Sequence, residues 1–364
     1  MDNYGLDMHC TMILEEYRDT RHIYEKMLDI VKQALVDGLE EMGVYVNAIE
    51  ARVKTEKSLA GKLELKGSKY NMLSDMTDIL GARIITFYTD DVDKVAAMAD
   101  RIFDIDWENS VDKRKMHELD SFGYNSLHYI CRIPKKLYYD PACPDINELR
   151  FELQMRTALQ HVWAVINHDT GYKTGVEVPQ EYLRNLNRLA GMMELADEQF
   201  SIIRTGINDY RRKVQNLVAD GKFEEVPLDG DSFKSYLDLK PFDKLAKRIA
   251  AINQAEIHES SPMPYLRILK DFGLKTLKDL VDFVGENTED AYQFAVFQIS
   301  NTDIDIISST VAIQDLCIVH ILKSGGGVEK LKFMFDELGV SSEYNRQRAE
   351  RIVATANQLS FMHK

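Results

Sequence analysis

Phe151-Glu152-Leu153-Gln154-Met155-Arg156-Thr157 alternates between apolar and polar side chains as far as Arg156. On a β-strand this places Phe151, Leu153 and Met155 towards a core and Glu152, Gln154 and Arg156 side by side on the opposite face. An acid, an amide and a guanidinium together are costly to bury, so that face reads as the floor of a polar cleft. With no ligand site above it, an ordinary amphipathic strand facing water is the plain alternative. Glu152 suits either a metal ligand or a general base for a hydroxyl nucleophile.

Strands and helices interleave on the N-terminal side of this stretch. Positions 7–42 repeat Met12, Ile13, Tyr17, Ile23, Tyr24, Met27, Ile30, Val31, Leu35 and Leu39 mostly at three- and four-residue steps, the signature of an amphipathic helix or helix pair that Gly43 ends. Positions 44–54 alternate imperfectly as a strand, and a basic segment over 54–69 contains a short helix. Positions 80–88 form a buried strand around Ile84-Ile85, and 90–103 a helix with Asp90, Asp91 and Asp93 in its first turn, where the helix dipole favours them. Strands follow over 104–109, 124–133 and 149–157, then a helix from Ala158 and a long one over 181–218. This order predicts a mixed α/β sheet flanked by helices. Val226-Pro227-Leu228-Asp229-Gly230-Asp231-Ser232 reads as a boundary. The expected domains are therefore 1–225, a linker over 226–239, and a small all-α domain over 240–364. Ser324-Gly325-Gly326-Gly327 reads as a hinge or helix terminator.

The chain's 364 residues suit two domains, and 45% hydrophobic with 29% charged residues describe an ordinary globular composition. No apolar run approaches the roughly 20 residues of a membrane helix. The N-terminal residues lack the order of a signal peptide, so the expected location is cytoplasmic. Cys10, Cys131, Cys143 and Cys317 have neither metal nor disulfide spacing, which fits a reducing compartment. A net charge of −14 argues against a surface that coats nucleic acid, yet it leaves room for a local basic site.

Such a site is visible over 51–70, where six bases and two acids leave a net charge of +4. Arg52 and Lys54 share one side of a strand, and Ser58 and Lys62 stack one turn apart on the following helix. With the N–H groups of the helix start, these donors make a phosphate site. Taken alone, the segment reads equally well as a solvated basic face. Asp78, just before the buried strand in Asp78-Ile79-Leu80-Gly81-Ala82-Arg83, suits a Mg²⁺ ligand or a turn residue. In Phe122-Gly123-Tyr124-Asn125-Ser126-Leu127-His128, Tyr124 offers either a stacking face for a base or a core ring, and His128 is a cleft residue or a satisfied core histidine. His168-Asp169 has no companion metal cluster in the sequence and reads as a helix end.

The order Arg52-x-Lys54-x-x-x-Ser58-x-x-x-Lys62, Asp78-Ile79-x-Gly81-x-Arg83, Gly123-Tyr124-x-Ser126-Leu127-His128, Glu152-x-Gln154-x-Arg156-Thr157 resembles the synthetase domain of the RelA/SpoT family, the makers of the alarmones (p)ppGpp. The likeness continues through His161, Trp163 and His168 to Tyr172-Lys173 and covers about 215 residues. It implies a nucleotidyltransferase-like α/β fold without the family's hydrolase domain, and Mg²⁺-dependent transfer of pyrophosphate from ATP to the ribose 3′-hydroxyl of GDP or GTP. It further implies that Arg52, Lys54, Ser58, Lys62 and Arg83 hold ATP and its phosphates, Arg52 by stacking on adenine. Asp78 and Glu152 would be the catalytic and metal-binding acids. Tyr124, His128, Gln154, Arg156 and His161 would hold the acceptor, Tyr124 by stacking on guanine.

Two departures lie on the acceptor side. Asp120-Ser121-Phe122 stands where relatives carry Lys-x-Asn, and Asn167 where many carry Glu. They leave tRNA as an alternative acceptor, with Lys113-Arg114-Lys115 as a phosphate contact or simply an exposed loop. A catalytically silent nucleotide sensor is a third reading, disfavoured by the presence of both Asp78 and Glu152. For 240–364 the expectation is a protein partner or a homo-oligomer contact.

Overall fold

The computed structural model describes residues 4–112, 114, 126–171, 180–339 and 342–363. Two compact units divide the chain at Thr205/Gly206.

In the first unit the elements run α1 (Met8–Met42), β1 (Val46–Val53), α2 (Glu56–Lys66), β2 (Leu80–Thr86), α3 (Thr89–Ile102), β3 (Asp104–Asp112), β4 (Leu127–Arg132), β5 (Phe151–Thr157), α4 (Ala158–Gly171) and α5 (Gln180–Ala219), whose last turns belong to the second unit. Helix α1 begins where the Asp7 carboxylate accepts from the Cys10 N–H at 2.7 Å, and it ends at Gly43, whose φ of 62° is the left-handed conformation that glycine tolerates. Its buried stripe includes Ile13, Tyr17, Tyr24, Met27, Val31, Leu35 and Leu39, whereas Met12, on the flank of the stripe, is 64% exposed. In α3 the first turn holds Asp90 and Asp91 but not Asp93, which instead pairs with Arg114.

The five strands pair in the order β1-β2-β5-β4-β3, with β2 and β5 parallel and the other pairs antiparallel, so the mixed sheet flanked by helices is present. Helices α1 and α3 pack on one face and share a core with Leu80, Ala82, Ile84, Phe151, Leu153 and Met155. The imperfect alternation of β1 has a physical cause. A register shift between Val46 and Ala48 inserts one residue, so core-facing positions change from even numbers to Ile49, Ala51 and Val53.

The second unit continues with α6 (Gly230–Leu237), α7 (Asp243–Ala250), β6 (Glu256–His258), α8 (Tyr265–Asp271), α9 (Leu277–Ile299), β7 (Ile306–Ser308), α10 (Val311–Lys323), α11 (Gly327–Glu337) and α12 (Ser342–Ala356). It is helical around α10, which is apolar on nearly every side, as a central helix must be. Two sequence expectations change here. The stretch 226–239 is not a free linker, because it contains α6, and Val226, Leu228, Phe233 and Tyr236 are buried in this unit's core. Nor is 240–364 wholly helical, since β6 and β7 form a parallel pair whose three-residue strands are too short to show alternation. The Ser324 to Gly327 stretch terminates α10, with Gly325 and Gly327 at positive φ.

Candidate active site

On the sheet face turned away from α1 and α3, Cα partners align Arg52, Gly81 and Glu152 across β1, β2 and β5 in one row. Glu50, Arg83, Gln154 and His128 align across β1, β2, β5 and β4 in the next. Gly81 contributes no side chain between Arg52 and Glu152, and a Cβ built there would meet nothing within 4 Å. The resulting cleft has a volume of about 410 Å³ and is lined by Arg52, Lys54, Ser58, Asp78, Arg83, Glu152 and Gln154 among others. Seven residues singled out from the sequence, distant in the chain, therefore share one wall.

The remaining candidates stand around it. Lys62 reaches the cleft through Asp78, whose two oxygens accept from Lys54 Nζ at 2.9 Å and from Lys62 Nζ at 2.8 Å. His128 reaches it through Glu152. Arg156 is only 3% exposed, so the structure covers its guanidinium, and it does not line the cleft. His161, in the first turns of α4, also lies off the lining. Burial, and then the neighbouring Arg156 charge, push its imidazole down from the ordinary value. Tyr124 lies outside the described residues, as do Lys113, Lys115, Asp120, Phe122, Tyr172 and Lys173.

Two carboxylates dominate the electrostatics. Burial opposes ionisation of Asp78, but the Lys54 charge and the two lysine hydrogen bonds outweigh it, so the pKa falls below the ordinary value. Glu152 is likewise opposed by burial and lowered on balance by its partners. Its Oε1 accepts from His128 Nδ1–H at 2.7 Å, and its Oε2 accepts from the Gln154 amide at 2.9 Å. A neutral His128 in that tautomer accepts at Nε2 from the Ser126 hydroxyl, 2.6 Å away. The chain extends the other way from Gln154 Oε1 to Arg83 Nε at 3.2 Å, and from Arg83 to Glu50 at 2.6 Å. Five side chains on four strands, with Ser126 just before β4, thus hold one another in place, and no member is a free rotor.

Elements outside the sheet complete the site. Thr55 caps α2 by accepting from the Ser58 N–H at 3.2 Å, which fixes the helix start beside the cleft. The Tyr17 hydroxyl of α1 donates to the Lys54 carbonyl and ties that helix to the end of β1. Sequence reading missed Glu50, Gly81 as a floor residue, and Thr55 as a helix cap. Glu50 was within reach, since it lies two residues before Arg52 and so shares its face.

Positions 51–177 match the model of the region found in RelA/SpoT proteins. The chain is 27% identical to the GTP pyrophosphokinase YjbM of Bacillus subtilis over 167 residues, 45% of this chain and 74% of the relative. With the GTP pyrophosphokinase YwaC of the same organism it shares 25% over 204 residues, 54% of this chain and 94% of the relative. Among solved structures, the small alarmone synthetase 1 from Bacillus subtilis is similar at 22% identity with a TM-score of 0.44, covering 54% of this chain and 99% of that one. The matched stretch contains every cleft residue named above except Glu50. No helix among the described residues is long and apolar enough to cross a membrane.

Proposed function

We propose that this cleft transfers pyrophosphate from ATP to the 3′-hydroxyl of GDP or GTP with Mg²⁺. The observation that carries the reading is the pair Asp78 and Glu152 in the same cleft as Arg52, Lys54 and Arg83. Moving a polyphosphate group calls for positioning and charge neutralisation more than for covalent chemistry. The names of the two curated relatives support the same reaction class.

The donor set fits Mg²⁺. Glu152 senses the Asp78 charge, so the two acids lie within electrostatic reach. Among the described residues no cluster of three or more His, Cys, Asp or Glu side chains could cage a metal. Two carboxylates with substrate phosphates completing the shell is how Mg²⁺ is commonly held. Bound there, Mg²⁺ would neutralise charge on the transferring group. Lys54 and Lys62, now spent on Asp78, would turn to the phosphates of ATP, and the exposed N–H groups at the start of α2 would add donors.

The tRNA alternative gains nothing from Lys113-Arg114-Lys115. Arg114 is bound by Asp112 at 2.9 Å and by Asp93 at 2.8 Å, and its two neighbours lie outside the described residues. The test offers ATP labelled in its β-phosphate and Mg²⁺ to the purified chain, with GDP, GTP or bulk tRNA each supplied alone. Label on the guanosine nucleotide is the expected result. Label on tRNA alone replaces the acceptor, and no label on any of the three rejects the reading.

A further inference from the structure

The second unit contains a cavity of about 380 Å³ that the chemistry above does not use. Its walls are largely aliphatic, from residues such as Ile249, Ile299, Ile307 and Ile318. Against them stand Asp315 of α10 and Arg348 and Arg351 of α12. Asp315 is 5% exposed, and among the described residues its carboxyl has no hydrogen-bond or ion-pair partner. A buried acid without a partner is expensive, and proteins rarely retain one without a use for it. Arg348 lies over the Phe335 ring, 4.3 Å from its centroid, and it too has no carboxylate within ion-pair distance among the described residues.

We infer that this cavity binds a small zwitterion, an α-amino acid with an aliphatic side chain, independently of the catalytic cleft. An ammonium group supplies the donors that Asp315 lacks. A carboxylate matches the fork of a guanidinium, and Arg351 extends the basic side to the exposed rim. The isoleucine walls receive the aliphatic side chain, and the volume lies within the range of small-molecule sites. A nucleobase fits less well, because Phe294 is the one aromatic side chain in the lining and a base would look for stacking faces. An inorganic phosphate would meet the buried Asp315 carboxyl.

Burial pushes the Asp315 carboxyl up to about 8, with Arg348 acting in the opposite direction. An incoming ammonium would therefore reverse this shift as it binds.

The test is the melting temperature of the full chain titrated with each of the twenty L-amino acids. A saturable rise is expected for one or more aliphatic ones, by roughly 5 °C at a hundredfold excess over Kd. The best ligand is then compared with its amino alcohol, which lacks the carboxylate, and with its 2-hydroxy acid, which lacks the ammonium. Both should bind at least about tenfold more weakly. Asp315→Asn, an isosteric change, and Arg351→Gln, at an exposed position, should each melt cooperatively yet weaken binding by a similar factor. The inference is overturned if no amino acid shifts the transition, if the amino alcohol or hydroxy acid binds equally well, or if Asp315→Asn binds as the parent does. A nucleotide whose binding is lost in Asp315→Asn would also overturn it.

Discussion

Asp78 and Glu152 in the first unit are partly withdrawn from water and Asp315 in the second is buried, yet their surroundings treat them oppositely. Asp78 is gripped by two lysines and Glu152 by a histidine and an amide, and both are held below the ordinary carboxylate range. Asp315 has only a guanidinium at a distance and is pushed up to about 8. Burial raises the pKa at all three positions, so the number of close donors decides the sign. A satisfied carboxylate is ready to carry charge for chemistry. An unsatisfied one stores a cost that a ligand can relieve.

The strongest way to break this contrast is to remove the satisfied charges. Asp78→Asn and Glu152→Gln should each lower turnover by about 1,000-fold, the scale of losing one aligned electrostatic group in an active site. Circular dichroism should show both variants folded. A variant that keeps most of its rate would show that the acid is structural.

Next in size is the response to pH, which should differ in sign between the two regions. For Asp78 and Glu152 the folded pKa lies below the unfolded one. Their stabilisation is present above about pH 4 and is lost as pH falls through the folded values. For Asp315 the folded pKa is the higher one, so its contribution is complete below about pH 4 and is lost as pH rises towards about 8. The swing for Asp315 is on the order of a few kcal/mol. Residue-resolved hydrogen exchange at several pH values reads each region separately. Protection around α10 should decline between pH 5 and pH 8, and Asp315→Asn should flatten that decline. Equal slopes in parent and variant would remove Asp315 from the account.

A smaller effect probes the packing that supports the cleft floor from behind. A Cβ on Gly38 would lie 2.6 Å from Ile102 Cδ1 and 2.8 Å from Met98 Sδ, where α1 meets α3. Both atoms are near the ends of adaptable side chains, so Gly38→Ala should cost about 1 kcal/mol by denaturant unfolding. A neutral result would mean that the ends of Ile102 and Met98 yield, and that the helix propensity Ala gains over Gly offsets the remaining strain.

Much of the first unit was legible because its signals are local. The alternation of β5 and the four ordered motifs located the cleft residues, and even the parity slip in β1 was visible, although its cause was a bulge. The grip on Asp78 was not legible, because sequence distance hides that Lys54 and Lys62 converge on it from a strand end and a helix. The second unit was read less well for a related reason. Pro227 and Gly230 look like punctuation, whereas Phe233 and Tyr236 around them are core residues. The Asp315 cavity draws on α9, β7, α10 and α12, and no spacing in the chain announces such an assembly.

The most direct test of the proposed chemistry is phosphorus-31 NMR of a quenched reaction of the chain with ATP, Mg²⁺ and GDP. Pyrophosphate transfer predicts AMP in equal amount to a guanosine product whose new diphosphate is coupled to the ribose H3′. Formation of ADP, or of AMP with free pyrophosphate and unchanged GDP, would contradict it.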